Sequence, residues 1–273
     1  MTLVLAGVRK LRTRTATLVG LLIAVVLLAI EFIAVGATYR SSTTLADQKA
    51  TYDWMLTFPS AYDAVMSLVI GFGGLIALIY VAAVSGTEWS WGTLRVAVAR
   101  GESRSRYVLA TFASVAIVLL IGVLAMFAAG VLAAIAGAAL AGLPLNGLTD
   151  GPALSQTALK LARSGVAIVG LGAVGYAAAM VARSQMAGIG AVIGFYIGSA
   201  FAPFFLPDAI KEIFKYLPFS AAGDAIGVQG PPGVATTTGK VLDPGVALAV
   251  TLVWLVGSLA FAALATERAE ITN

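Results

Sequence analysis

Residues 85–106 read SGTEWSWGTLRVAVARGESRSR, a short polar interval between two long apolar stretches. The interval holds four arginines, two glutamates and two tryptophans, whereas only 11% of the 273 residues in the chain are charged. Charge concentrated in one connection of an apolar chain is typical of a loop on the cytosolic side of a membrane. Such a loop either fixes the orientation of the chain or contacts a soluble partner, and the interval alone leaves both uses open.

The composition around this interval is that of a membrane protein. Hydrophobic residues make up 60% of the chain and the mean hydropathy is +0.97, whereas ordinary globular domains contain about 25% charged residues. A helix that crosses a bilayer needs roughly 20 mostly apolar residues. We therefore predict an all-α, polytopic fold in which residues 1–273 form a single transmembrane domain. Its six predicted spans are residues 16–38, 62–84, 107–140, 159–182, 186–206 and 245–266.

Two residue types are missing, and their absence narrows the chemistry. The chain has no cysteine and no histidine, which excludes disulfides and thiolate nucleophiles and removes the usual general base and metal ligand. Residues 170–175 spell GxGxxG but lie within an apolar span, and residues 233–240 resemble a phosphate loop with the wrong spacing. We expect no catalytic activity, metal or cofactor on this chain. Because its basic residues cluster at the ends of spans, we expect no nucleic-acid partner either.

The basic residues predict the orientation of the chain. Residues 3–11 form a short, weakly amphipathic stretch that is flanked by Arg9, Lys10, Arg12 and Arg14, which predicts an interfacial helix within residues 1–15. With this helix in the cytosol, the inner segments hold ten lysines and arginines and the longer outer segments hold seven, in agreement with the positive-inside rule. We therefore expect a location in the cell membrane with both termini cytosolic. A signal peptide is the disfavoured alternative, because the apolar run at 16–37 exceeds a signal core of about 7–15 residues.

A few residues within or near the spans are candidates for other roles. Glu31 lies inside an apolar run, where a carboxylate is costly unless it is paired. It either contacts a substrate path or, near the outer end of its helix, reaches interfacial water or Arg40. Small residues repeat every four positions in the fifth span, which predicts a helix-packing stripe unless the repeat is accidental. The stripe consists of Gly190, Gly194 and Gly198.

Two connections of the predicted bundle are expected to be helical. In the last outer connection, apolar residues follow a helical spacing from Ile210 to Leu217, which predicts a short helix that rests on the outer leaflet or dips back into the protein. In the 85–106 interval, a continuous helix would place Glu88 and Arg95 on one side and let Trp91 pack on Arg95. Gly92 would let another surface approach closely. A short, charged helix at a membrane exit suits docking of a soluble protein.

These residues carry a family resemblance. Glu88, the run Gly92–Arg95, Arg100-Gly101, Arg104 and Tyr107 resemble the signature that follows the second span in ABC transporter permeases of the type-2 exporter class. The sequence YLPFSA at 216–221 is similar to the last outer connection of such proteins. Two departures leave the subfamily open: three residues, WSW, separate the glutamate from the glycine, and Thr111 stands where a lysine is frequent.

The resemblance implies a permease subunit of an ATP-driven exporter that is not itself an enzyme. Two copies, or one copy and a related chain, would form the pore, and separate ATPase subunits would bind ATP and magnesium. The 85–106 interval would then hold the coupling helix that docks on the ATPase. The residues that the resemblance assigns to this coupling are Glu88, Trp91, Gly92, Thr93, Arg95, Arg100 and Arg104. The rival hypotheses are a self-contained secondary transporter and a non-transporting membrane scaffold.

Overall fold

A computed structural model describes residues 2–41, 46–205, 207, 212–228, 230 and 241–268. The regular secondary structure of these residues is helical, and the protein is an all-α, polytopic membrane protein, as predicted. Its helices are α1 (Thr2–Arg12), α2 (Thr15–Thr38), α3 (Ala46–Leu56), α4 (Ser60–Ser90), α5 (Thr93–Ala99), α6 (Arg104–Ala141), α7 (Gly151–Ala182), α8 (Gln185–Phe205), α9 (Pro218–Ile226) and α10 (Pro244–Glu267).

Within the described part of the chain, five helices are long and apolar enough to cross a membrane. They are α2, α4, α6, α7 and α10, and each contains one of the predicted spans. The remaining predicted span, 186–206, falls on α8, whose continuously described apolar part is the shorter segment Gln185–Ser199. The multi-pass character is therefore established by five helices, and the sixth crossing remains a prediction.

Several helices extend beyond the predicted spans. At 1.5 Å per residue, the 38 residues of α6 measure about 57 Å, against a hydrocarbon core of about 30 Å. Helix α4 continues to Ser90 instead of ending near residue 84. In its polar last turns, side-chain hydroxyls donate hydrogen bonds to backbone carbonyls of the same helix. The Ser85 hydroxyl donates to Val81 O and the Thr87 hydroxyl to Val84 O, both at 2.6 Å. Such back-bonding lets serine and threonine continue a helix.

The predicted helix at residues 1–15 is present as α1, and it docks on α6. The Ser114 hydroxyl on α6 donates to Val4 O at 3.1 Å. Gly7 lies so close to this serine that an added Cβ would come within 2.8 Å of the Ser114 Cβ. These contacts fix α1 beside the first half of α6, where the basic end of α1 points toward the end of α4.

The long helices pack through small residues. A Cβ added to Gly36 on α2 would lie 2.3 Å from the carbonyl oxygen of Gly137 on α6, and one added to Gly137 would lie 2.4 Å from Phe32 O. The two backbones are therefore in direct contact, as small residues permit in membrane helices. Helices α4 and α7 are also joined by an ion pair, in which Lys160 Nζ donates to both carboxylate oxygens of Asp63 at 2.6 and 2.8 Å.

The connection predicted to lie outside is partly helical, at residues 212–214 and 218–226. Ile210 of the predicted amphipathic helix lies outside the described residues, whereas residues 212–214 are helical. Helix α9 follows, and its Phe219 ring contacts the rings of Phe195 and Tyr196 on α8. Burial raises the pKa of the Asp224 carboxyl on α9, and the Leu242 N–H, which donates to it at 3.0 Å, opposes that rise.

Candidate functional site

The centre of the site is Glu88, in the last turn of α4. Its residue surface is only 3% exposed. One carboxylate oxygen, Oε1, accepts a hydrogen bond from Lys10 Nζ at 2.9 Å. The other, Oε2, accepts from the Tyr107 hydroxyl at 2.5 Å and from the Thr93 hydroxyl. Donors from α1, α5 and α6 therefore converge on one buried carboxylate.

Arg14, in the link between α1 and α2, completes this ion cluster. Its Nη1 donates to the Thr87 hydroxyl at 3.1 Å, and its Nη2 lies 4.0 Å from Glu88 Oε1. A buried carboxylate is tolerated only when it is paired and hydrogen-bonded. The cluster meets this requirement and at the same time joins α1 to the end of α4.

The site contains a sharp turn rather than a continuous helix. Helix α4 ends at Ser90, and Gly92 adopts a left-handed conformation with φ of 66° before α5 begins. The predicted i, i+4 pairing of Trp91 with Arg95 is therefore wrong, because the two residues are not on one helix. Instead, the Arg14 guanidinium lies 5.0 Å from the centre of the Trp91 ring, within the range of a cation–π contact.

Helix α5 has a buried side and an exposed side. Leu94 is 1% exposed and anchors the helix against the bundle. The Thr93 hydroxyl also contacts the Glu88 carbonyl oxygen at 3.1 Å, which holds the first turn of α5 against the last turn of α4. Arg95 on this seven-residue helix and Arg100, the C-cap residue that follows it, are both exposed, so the helix and its C-terminal end carry basic side chains.

Arg104, at the start of α6, is directed elsewhere. Its Nη1 donates to the carbonyl oxygen of Glu267 at 2.9 Å and lies 3.4 Å from that of Thr266. These carbonyls end α10, where helices leave acceptors unsatisfied and favour positive charge. Arg104 therefore ties α10 to α6, and its guanidinium is engaged inside the chain.

The turn between α7 and α8 contacts the same end of α4. A Cβ added to Gly86 would lie 2.3 Å from Gln185 Cα and 2.5 Å from Gln185 N. The Arg183 guanidinium lies 5.3 Å from the centre of the Trp89 ring. The last turns of α4 are thus held from two sides, by α1 and by the α7–α8 turn.

The other predicted residues lie away from this cluster. Glu31 is half-buried on α2. Among the described residues, none donates a hydrogen bond to its carboxylate or forms an ion pair with it. The Arg40 Nε, one of its candidate partners, donates instead to Ala141 O at 2.9 Å. The glycine stripe on α8 is exposed, and an added Cβ at any of its positions would meet no described atom within 4 Å. These positions are Gly190, Gly194 and Gly198.

Sequence reasoning missed the partners of Glu88. From the sequence, the basic residues at 9–14 predict only the orientation of the chain, and Tyr107 belongs only to the family signature. The chemical signal was present, since a glutamate beside an apolar span requires a counter-charge. Several basic residues could have supplied it, and only the folded path of α1 selects these two.

The described residues contain no candidate metal site, because no three or more of their acidic side chains are grouped so that they could bind one ion. A scan against protein-family models and a search of curated proteins both find no match to this chain. The function is therefore inferred from the geometry of the Glu88 cluster and of α5. What it can do chemically is hold a short basic helix rigidly at one end of a membrane-spanning bundle.

Proposed function

We propose that the chain is the membrane-spanning permease subunit of an ATP-driven ABC exporter, with α5 as its coupling helix. The observation that carries the proposal is that exposed Arg95 and Arg100 lie on α5 and at its end, while the start of α5 is held by the buried Glu88 cluster. Separate ATPase subunits bind ATP and magnesium, so this chain is not an enzyme by itself. The resemblance of the α4–α6 connection to type-2 permeases supports the same assignment.

The proposed mechanism is mechanical. Closure of the ATPase pair on ATP moves α5, and the Glu88 cluster transmits that movement to α1, α4 and α6 because it joins all of them. The pore thereby changes between two states that the ATPase contacts stabilise differently. In this mechanism Arg95 and Arg100 contact the ATPase, whereas Glu88 and Thr93 position α5 without touching the partner.

The path of the chain supports a sixth crossing by α8. Helix α8 begins beside the end of α4, where Gln185 contacts Gly86. Helix α10 ends at the same side, where Glu267 accepts from Arg104, and its 24 residues measure about 36 Å. These two contacts support a further crossing between Gln185 and Pro244. With six crossings and this end cytosolic, the protein lies in the cell membrane and both of its termini lie in the cytosol.

Reversing the charge of the α5 face is expected to uncouple the transporter. The double variant Arg95→Glu/Arg100→Glu should lose most of its co-purification with the ABC ATPase encoded in the same genome, because an acidic partner surface would meet like charges. The measurement is retention of the ATPase on the purified permease, with ATP-dependent transport in vesicles. Lys49→Glu, an exposed charge reversal on α3 at the other end of the bundle, is the control.

Two outcomes would contradict the coupling proposal. The first is unchanged ATPase retention and transport in the double variant. The second is transport by the purified chain in vesicles without any ATPase, which would favour a self-contained carrier. Export at the wild-type rate in Lys49→Glu, together with loss in the double variant, is the expected result.

The proposed second permease copy gives the α8 stripe a role. Its glycines contact no described residue of this chain, so we propose that their contact lies in a partner copy. Gly194→Leu should lower the dimer fraction by tenfold or more in native mass spectra, because a large side chain separates close-packed helices. Gly257→Leu, on the exposed side of α10, should leave the dimer fraction unchanged. An unaltered dimer in Gly194→Leu would remove the stripe from the interface.

A further inference from the structure

A cavity of about 260 Å³ lies between α1, α2, α4 and α6, and Ile168 on α7 also lines it. Leu18 on α2 and Ile121 on α6 both line it, and each exposes more than half of its surface, 62% and 57% respectively. These two residues therefore form an outward-facing rim. Because α2 and α6 are long and apolar enough to span a membrane, we expect lipid rather than the described part of this chain at this rim.

The cavity is polar at one end only. Arg12, at the end of α1, lines it and is exposed. Beside it, the Tyr80 hydroxyl donates to the Thr17 hydroxyl at 2.9 Å, because the Thr17 hydroxyl itself donates to Leu11 O at 2.6 Å. The cavity wall extends about 10 Å along α4, from Tyr80 to Gly73. The other residues that line the cavity are apolar, and they include Met126 on α6. A cationic group thus stands at the mouth of an otherwise apolar chamber.

This asymmetry selects the occupant by its chemistry. Water is disfavoured in the apolar part, since a buried water needs two to four polar partners. An amphiphile with an acyl chain and an anionic head satisfies both ends at once. A guanidinium at a helix end lies at headgroup depth and binds phosphate oxygens through parallel N–H donors.

We propose that this cavity binds one acyl chain of an anionic phospholipid, with Arg12 on the lipid phosphate. The bound lipid braces α1 against α2 and α6, on the side of α1 opposite to its contact with Ser114. The proposal concerns a structural lipid of the membrane, and it does not depend on what the protein transports or on any ATPase.

The chain offers a clean way to fill the cavity. Gly122 lines it, and a Cβ added there would meet no described atom within 4 Å. Gly122→Leu therefore places a side chain in the chamber without a backbone clash. Gly257→Leu is the matched control, because its added Cβ also meets no described atom and α10 does not line the cavity. Arg12→Gln removes the charge, and Arg9→Gln is its control, because Arg9 is exposed on the same helix and does not line the cavity.

The experiment is native mass spectrometry of the full-length protein, titrated with phosphatidylglycerol, phosphatidylcholine, palmitate or inorganic phosphate. The wild type should retain phosphatidylglycerol about fivefold more tightly than phosphatidylcholine, as expected for one basic residue at an anionic headgroup. Arg12→Gln should abolish that preference, and Gly122→Leu should lower the retention of both lipids by tenfold or more. Both control variants should behave as the wild type, and all variants should keep the wild-type thermal midpoint when it is measured before lipid is added.

Four results would overturn the proposal. They are equal retention of the two phospholipids by the wild type, undiminished retention in Gly122→Leu, binding of palmitate or inorganic phosphate as tight as that of phosphatidylglycerol, and loss of the dimer rather than of lipid in Gly122→Leu. The last result would assign the cavity to a second copy of the chain.

Discussion

Glu88→Ala is expected to lower the stability of the protein by about 3 kcal/mol, the lower end of the cost of breaking a buried ion pair. The carboxylate is nearly inaccessible, whereas the Lys10 side chain is 39% exposed and can recover water, which keeps the cost from the upper end. Arg14 cannot do so, because its side chain is 15% exposed and its Nη2 already lacks a hydrogen-bond partner. The Tyr107 hydroxyl loses its acceptor as well.

The measurement is the thermal midpoint in detergent, together with trypsin cleavage of the basic segment at residues 9–14. Loss of the cluster frees α1 from α4, so cleavage should become several-fold faster in Glu88→Ala. Glu88→Gln should be intermediate, because its carbonyl oxygen still accepts from Tyr107 while the charge is lost.

Glu102→Ala is the matched control for this prediction. Glu102 belongs to the same connection and carries the same charge, but its pairing with Arg106 spans 3.7 Å at the surface, where the arginine side chain is 69% exposed. Removing such a pair changes stability by about 0–1 kcal/mol. If Glu88→Ala were as harmless as Glu102→Ala, the cluster would not be the rigid base of α5, and the proposed transmission of movement would lose its support.

The helical framework could be predicted because the bilayer dictates it. Apolar runs of about 20 residues can satisfy their backbone groups only as helices, so the centres of α2, α4, α6, α7 and α10 follow from hydropathy. The helix ends could not be predicted in the same way. Residues 85–90 are polar, yet their serine and threonine side chains bond to preceding carbonyls and let α4 continue into the polar region.

The contacts of the site could be predicted only in part. The 85–106 interval stood out by its charge, whereas the turn at Gly92 was not predicted, because the interval was expected to form a continuous helix. That Lys10 meets Glu88 across 78 residues depends on where α1 docks, which no local pattern specifies. The spacing of the glycines on α8 also did not indicate which surface they contact. It is the spacing of a packing surface, but these glycines contact no described residue of the chain.

Gly36→Ala is expected to destabilise the protein by about 3 kcal/mol, the upper end of the usual cost of overpacking. The added methyl group would lie 2.3 Å from the carbonyl oxygen of Gly137, and 2.7 Å from its Cα. Those atoms belong to the α6 backbone, which cannot rotate away as a side chain could, so α2 and α6 must separate. Separation would also loosen Phe32, which is fully buried beside this contact.

The same substitution at an open position should have the opposite sign. Gly71 on α4 is exposed and would meet no described atom within 4 Å, so Gly71→Ala should be neutral or stabilise by up to about 1 kcal/mol through helix propensity. The thermal midpoints of the two variants in one detergent, and their yields of folded protein, make the comparison. Equal midpoints would mean that α2 and α6 are not in backbone contact. A fall confined to Gly36→Ala would establish that the closeness of these two backbones, rather than apolar area, holds the first span to the bundle, since the bilayer offers apolar surroundings to a separated helix as readily as α6 does.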